Sequence, residues 1–513
     1  MKLIVSFTLL FAAAKCSRIL IVFPMVGRSH YILGNAFGKG LADAGHDVTM
    51  LSPFEDKKPP KNGKYTEVVL TGLSEEENKP KTLANLLDLE NMNPFWYIPL
   101  VNILGTEITR NTFAHPNFQK LLKSNQTFDA VIIEQFNNDA LKVLAHHYKA
   151  PLITFSTVGA SVWVNPLVGN PSPPSYIPEI FFDFTHNMTF WQKLTNWLFR
   201  ISYELNRHLI FFPAQNKLMH EYFPDAPDLS DIIYNSSVLF LNSHESINQP
   251  IPHVPCMIDI GGFHVNAPKE LPKDLKDFLD GAEEGVVYFS MGSNIKPSQI
   301  SDNQKKALHQ AFGKIKQKVL WKWDEDSIEG KPDNVKLGKW FPQADILAHP
   351  NTKLFITHGG LLSTTETIYH GVPVLALPVF ADQKMNAARA TLDGYGLTIK
   401  LSELDEEKLS SALDNLLNDP RYRDNAKMRS NLMHDRPVKP MDLAVYWTEF
   451  VIKHKGAPHL RVAGVDLPWY KYLLLDVISF TLLCIISLLV IIYMVIKRIL
   501  GAILKTRGKV KKN

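Results

Sequence analysis

The sequence predicts an α/β protein: two Rossmann-like domains facing a cleft, followed by a single membrane-spanning helix near the C-terminus. Three observations carry this. Strand-then-helix alternation starts after residue 17 and starts again after residue 284. Between the two runs, residues 266–284 shift in composition, with Pro268, Pro272 and then a charged stretch, which reads as a linker. Finally, Val477 to Ile496 is 20 residues without a charge, enough for a helix to cross a hydrocarbon core of roughly 30 Å.

The first alternation opens with an apolar run, Arg18 to Phe23, then a Gly-bearing loop, Pro24-Met-Val-Gly27-Arg-Ser-His30. Ile32, Leu33, Ala36, Phe37, Gly40 and Leu41 follow at helical spacing, with Gly45 where a helix would stop. Asp47–Leu51, Phe128–Ile133 and Pro151–Phe155 read as further strands of one parallel sheet. The stretch from Trp163 to Trp197 is rich in proline and aromatics. It suits an apolar pocket wall, a bilayer contact or a plain hydrophobic insertion alike. In the second alternation, Gly285–Ser290, Val319–Trp323, Lys353–Thr357 and Val372–Leu377 read as strands, with helices over 299–316, over 361–369 and from Lys384. Met441 to His454 is an amphipathic helix ending in Lys453, His454, Lys455 and Gly456, expected to pack back on the first domain.

Both ends are addressed to a membrane. Lys2, the apolar run Leu3 to Ala14 and the small residues Ala14 and Cys16 resemble a secretory signal. Seven cations and no acid occupy residues 497–513, the pattern of a cytosolic flank. Without that tail the net charge of +4 turns slightly negative, so no basic face suggests a nucleic-acid partner. The expected organisation is a signal over 1–17, a first domain over 18–265, a linker over 266–284 and a second domain over 285–440. A packing helix and juxtamembrane segment (441–472), a span (473–496) and a basic tail (497–513) complete it. Sequons at Asn125, Asn187 and Asn235 fall in the part expected to be lumenal. Lys509 and Lys511, fifth and third from the end, match a dilysine address for the endoplasmic reticulum membrane as well as they match ordinary positive-inside charge. Cys16 leaves with the signal and Cys484 sits in the span, so Cys256 stands alone. Neither an intrachain disulfide nor a cysteine zinc site is expected.

The chemistry concentrates between Trp340 and Gln383. Trp340 offers an indole face to a base. A strand ending at His358-Gly-Gly360 and turning into a helix aims bare N–H groups at a diphosphate, with Ser293, Ser363 and Thr364 as supporting donors. Glu366 suits ribose hydroxyls, while Asp382 and Gln383 suit a sugar. Together with Gln343 these residues describe a nucleotide-sugar site. Asp324-Glu-Asp326, in a charged turn, reads as solvated surface rather than a metal site.

This segment resembles the signature of the UDP-glycosyltransferase family, which includes the animal UDP-glucuronosyltransferases and UDP-glucosyltransferases. The likeness runs along nearly the whole chain and is greatest to the insect membrane-bound branch. It implies a GT-B fold, no cofactor or metal, and inverting transfer of a sugar, glucose foremost and glucuronate as the alternative, from a UDP-sugar donor to a small lipophilic acceptor. It also implies a catalytic histidine in the first βα loop, where His30 stands, and a carboxylate partner in the loop after the Phe128 strand. Asp139 is preferred there and Glu134 is the rival. Leu362 departs from the asparagine many relatives carry. An inactive lipophile carrier on the same fold is the competing class; a possible homo-oligomer stays open.

Overall fold

The computed structural model describes residues 16–75, 86–293 and 295–510, the last six by their backbone alone. The expected signal core and the final residues Lys511 to Asn513 lie outside the described residues. Residues up to Arg461 form one compact unit and Val462–Asn513 a second.

In the first unit two parallel sheets form, one after the other along the chain. The first has seven strands: β1 (Arg18–Val22), β2 (Asp47–Ser52), β3 (Lys64–Val69), β4 (Ala130–Glu134), β5 (Leu152–Ser156), β6 (Ser236–Leu241) and β7 (Met257–Asp259). They lie in the order β3-β2-β1-β4-β5-β6-β7. The second sheet has six strands: β8 (Val286–Ser290), β9 (Lys318–Lys322), β10 (Val335–Gly338), β11 (Thr352–Thr357), β12 (Val374–Ala376) and β13 (Gly396–Thr398). Their order is β10-β9-β8-β11-β12-β13. In both sheets the chain starts near the middle, works to one side and then crosses back. That reversal opens a crevice at the strand C-termini, between β1 and β4 and between β8 and β11.

The central strands are apolar on both faces because helices cover both faces. Ile19 to Val22, Val131 and Ile132 are fully buried, as are Val287, Leu354 and Ile356. Helix α1 (Arg28–Asp43) presses Leu33, Phe37 and Leu41 onto the first sheet. Helix α2 (Tyr97–Ala114) and helix α3 (Phe190–Asn206) belong to the long excursions between strands of that sheet. Helices α4 (Leu361–His370) and α5 (Gln383–Leu392) follow β11 and β12. Helix α6 (Pro440–Lys453) returns to the first half, where Ala444 and Val451 join the same core as Ile19 and Phe37.

The Trp163–Trp197 stretch is mostly irregular chain up to residue 189, with Phe181 and Phe182 buried, and its last residues open α3, where Phe190, Trp191 and Trp197 are exposed. Ser17, counted with the signal in the sequence reading, is buried, and its carbonyl accepts from Asp47 N at 2.9 Å. Asp324 accepts from Ser298 N at 2.9 Å and Asp326 pairs with Lys339 at 2.7 Å, so this turn is engaged in surface contacts. The three sequon asparagines are exposed. Cys256 is buried and unpaired.

The second unit contains helix α7 (Leu475–Val510), of which Leu475–Leu504 is long and apolar enough to cross a membrane. The helix does not end where the expected span ends at residue 496. It continues through the basic residues Lys497 and Arg498.

Phe37 is fully buried among Phe155, Phe240 and Phe263, with ring centroids 5.3 to 6.1 Å away. Phe37→Ala is expected to cost about 3–5 kcal/mol. Denaturant unfolding of the detergent-solubilised chain checks it.

Candidate active site

His30 owes its position to the first crossover. Helix α1 starts at Arg28 with Gly27 as its N-cap, which puts His30 in the first turn at the C-terminal edge of the sheet. A side chain at residue 27 would crowd it, since a Cβ there would lie 2.9 Å from His30 Cδ2. His30 Nδ1 meets Glu134 Oε1 in a direct short contact, and Thr157 Oγ1 lies 3.3 Å from the same nitrogen. Phe136 packs edge-on against the imidazole at 5.1 Å. Glu134 ends β4 and is fully buried, whereas His30 keeps 16% of its side chain exposed. A buried carboxylate on Nδ1 holds the proton there, leaves Nε2 free as a base and favours the imidazolium once formed.

The two carboxylate candidates therefore separate. Asp139, preferred on sequence, is engaged elsewhere: its Oδ1 accepts from Lys142 Nζ at 2.9 Å and from Gln135 Nε2 at 2.9 Å. Lys142 is 1% exposed, and burial pushes its ammonium pKa down. A buried cation of this kind requires its counterion. Glu134, the rival, faces the histidine because it is the last strand residue rather than part of the following turn.

In the second half, β10 leads to Trp340, β11 to the His358 loop and β12 to Asp382. Trp340 is 63% exposed, with Lys322 Nζ 4.7 Å from its ring centre. Gln343 Nε2 donates to Glu366 Oε2 at 2.6 Å and to Ser363 Oγ at 3.2 Å. Burial pushes the Glu366 carboxyl up to about 7, against the pull of the Gln343 bond. His358 is flanked so closely that a Cβ on Gly292 or Gly360 would fall within 2.6 Å of its ring. Burial, helped by the nearby Lys322 charge, pushes it down to about 4. Gly360 is the N-cap of α4, with no side-chain cap on its free N–H groups. Thr364 is buried and its Oγ1 points back to Gly359 O at 3.5 Å; Ser293 stands exposed after β8.

Asp382 is the N-cap of α5 and accepts from Asn386 Nδ2 at 2.8 Å. Burial raises its pKa, and the His30 charge across the cleft is among the influences that lower it. Gln383 is buried, with its side-chain oxygen accepting from Val379 N at 2.9 Å and Phe380 N at 3.1 Å. Gln383 thus shapes the loop before Asp382 as well as standing next to it. Leu362 is partly buried against the first half's core, so this position is an apolar contact between the halves. A cavity of about 260 Å³ lies between them, lined by Val158, Ile177 and Ile180 on one side and by Leu361, Asp382 and Arg389 on the other.

Sequence reasoning missed Thr157, Phe136 and Lys322. All three stand at or just past strand C-termini, and the crevice rule for parallel sheets would have flagged them.

The same two-sheet arrangement occurs in solved glycosyltransferases. A UDP-glucosyltransferase from Polygonum tinctorium aligns with a TM-score of 0.57 at 17% identity, covering 85% of this chain and 99% of that one; the likeness is one of GT-B fold. In sequence, the family model for "UDP-glucoronosyl and UDP-glucosyl transferase" matches residues 20–512. UDP-glycosyltransferase UGT5 of Dactylopius coccus is 38% identical over 93% of this chain and 91% of its own length. UDP-glucuronosyltransferase 1A9 of Homo sapiens is 35% identical over 79% of this chain and 75% of its own. This chain belongs to the UDP-glucuronosyl and UDP-glucosyl transferase family.

Two outcomes follow from this geometry. Glu134→Gln is expected to lower kcat by about 10²- to 10⁴-fold, whereas Asp139→Asn should cost about 3–5 kcal/mol of stability by stranding Lys142 and spare most activity per folded molecule. Rates and thermal unfolding on the same preparations separate the two.

Glu366 gives a pH signature. Its folded-state pKa lies above the ordinary carboxylate value, so its contribution to stability is full below about 4.5 and is lost as pH rises through about 7. Ribose hydroxyls bond more strongly to the ionised form. Uridine affinity should therefore increase as pH rises through 7, and titrations with Glu366→Gln should lose that dependence.

Proposed function

We propose that this chain transfers a sugar, glucose foremost, from a UDP-sugar to a hydroxyl or carboxyl of a small lipophilic acceptor, with inversion at the anomeric carbon. The observation that carries the reading is the buried Glu134 carboxylate on His30 Nδ1, placed where the imidazole's field reaches Asp382 across the cleft.

In this mechanism the donor lies on the second half. Uracil stacks on Trp340, the ribose meets Glu366 and Gln343, and the diphosphate meets Ser293, His358 and the N–H groups beginning at Gly360, with Ser363 and Thr364 shaping that turn. Asp382 and Gln383 bracket the sugar. The acceptor enters the apolar cavity beside Val158 and Ile180. His30 Nε2 takes the acceptor proton as its oxygen attacks the anomeric carbon from the side opposite UDP, and Glu134 stabilises the resulting imidazolium. Both the ion pair at the base and the N–H groups at the leaving oxygen strengthen as charge develops, which is what lowers a barrier. His358, pushed down to about 4, serves as a neutral donor and not as a cation.

The same reading places the enzyme in the endoplasmic reticulum membrane, catalytic unit lumenal. Its supports are the signal-like leader, the apolar helix Leu475–Leu504 and the basic residues after it. Transfer of glucuronate is the second reading, favoured by the glucuronosyltransferase names among the relatives.

Membranes carrying the chain, mixed with a simple phenol and either UDP-glucose or UDP-glucuronate, decide between these. Glycoside formed from UDP-glucose and lost in His30→Ala supports the proposal. Turnover with UDP-glucuronate alone moves the donor to the second reading. UDP binding with no glycoside from a broad acceptor panel would leave a carrier rather than an enzyme.

A further inference from the structure

Every group so far given to the diphosphate is formally neutral: Ser293, the His358 imidazole and the N–H groups at the start of α4. UDP as a leaving group gains negative charge at the bond that breaks, and preorganised cations are the effective partners for such charge. We infer that Lys322 supplies that cation, as a diphosphate-binding residue at the end of β9; this rests on the UDP-sugar reading above.

The geometry is specific. Lys322 is the last residue of β9 and so belongs to the same strand-end crevice as His358 and Trp340. Its Nζ donates to Gly292 O at 2.6 Å, and Gly292 is the residue whose Cβ would lie 2.5 Å from the His358 ring. The same Nζ lies 4.7 Å from the centre of the Trp340 ring. One ammonium thus stands between the indole that receives the base and the loop that receives the phosphates. An ammonium carries three N–H donors, and the Gly292 carbonyl takes one.

Its surroundings are those of a cation kept for a ligand. Lys322 is partly buried and, among the described residues, forms no ion pair with a carboxylate, unlike Lys39, Lys276 or Lys314. Burial lowers its pKa, Asp324 raises it and Arg28 lowers it again. Arg28 opens α1, two residues before His30, so a second positive charge reaches this place from the other half. An arriving diphosphate would relieve both the desolvation and the repulsion. Stacking on Trp340 is a cation–π contact that holds the side chain in place without neutralising it.

Calorimetric titration of the full-length chain in detergent tests this, with uridine and UDP as the two probes. Lys322→Gln keeps a donor for Gly292 O and removes the charge. UDP affinity is expected to fall by about 10- to 100-fold, with uridine affinity within twofold of wild type. Lys322→Arg should restore most of the UDP affinity, because charge rather than shape is required. Equal weakening of uridine and UDP in Lys322→Gln would overturn the inference by making the lysine a support for Trp340. Unchanged UDP affinity would overturn it directly. A wild-type chain that binds neither ligand would instead sink the UDP-sugar reading on which it rests.

Discussion

In a parallel sheet each strand must be followed by a crossover that carries the chain back to the starting edge. All strand C-termini therefore share one edge, and every loop that leaves them is free to carry a reactive side chain. Here that constraint acts twice. His30, Glu134 and Thr157 stand at such ends of the first sheet, while Lys322, Trp340, His358 and Asp382 stand at those of the second. Residues remote in sequence become neighbours only because the two edges are brought together. The contacts that do so are polar as well as apolar: Glu90 of the first half accepts from Ser402 N at 2.9 Å, and Tyr97 OH accepts from Ala381 N at 3.4 Å. The latter bond holds a non-glycine residue in the left-handed region, at φ 54°, immediately before Asp382.

Burial sets the electrical character of the cleft. It keeps His358 uncharged, holds Glu366 near 7 and raises Asp382. Burial thus works against negative charge on Glu366 and Asp382, as suits a site for an anion. On the acceptor side the logic is reversed. Glu134 is wholly buried, its Oε1 meets the His30 ring, and its Oε2 has no hydrogen-bond partner among the described residues.

Much of this was legible in the sequence, and the exceptions have physical causes. Central strands such as β1, β4, β5 and β11 announce themselves as unbroken apolar runs because both of their faces are covered. Strands β3, β6, β7, β10 and β13 went unseen. All but β6 lie at the sheet edges, where strands alternate with lysine or threonine or extend over only three residues, and β6 opens on two serines. The candidate donor-site residues, Ser293 apart, could be named together because they fall in one contiguous stretch. The partner of His30 was not, because Glu134 and Asp139 share a loop and only strand register decides which one faces the cleft. The i,i+3 pairing of Asp139 with Lys142 was a local signal that Asp139 had another task. Lys322 was hidden for a related reason, since a lysine after an apolar strand looks like ordinary surface until its strand end is placed beside Trp340.

Helix α6 has a topological consequence. Because its Ala444 and Val451 complete the core around Ile19 and Phe37, the chain passes from the first half to the second and then returns. The second half is thus an insertion held by two covalent crossings, one on each side of it. A body joined by one tether can tumble; a body joined by two can only swing about the line between them. Cutting either crossing would leave a nicked chain whose pieces still share a core, so neither sheet could depart alone.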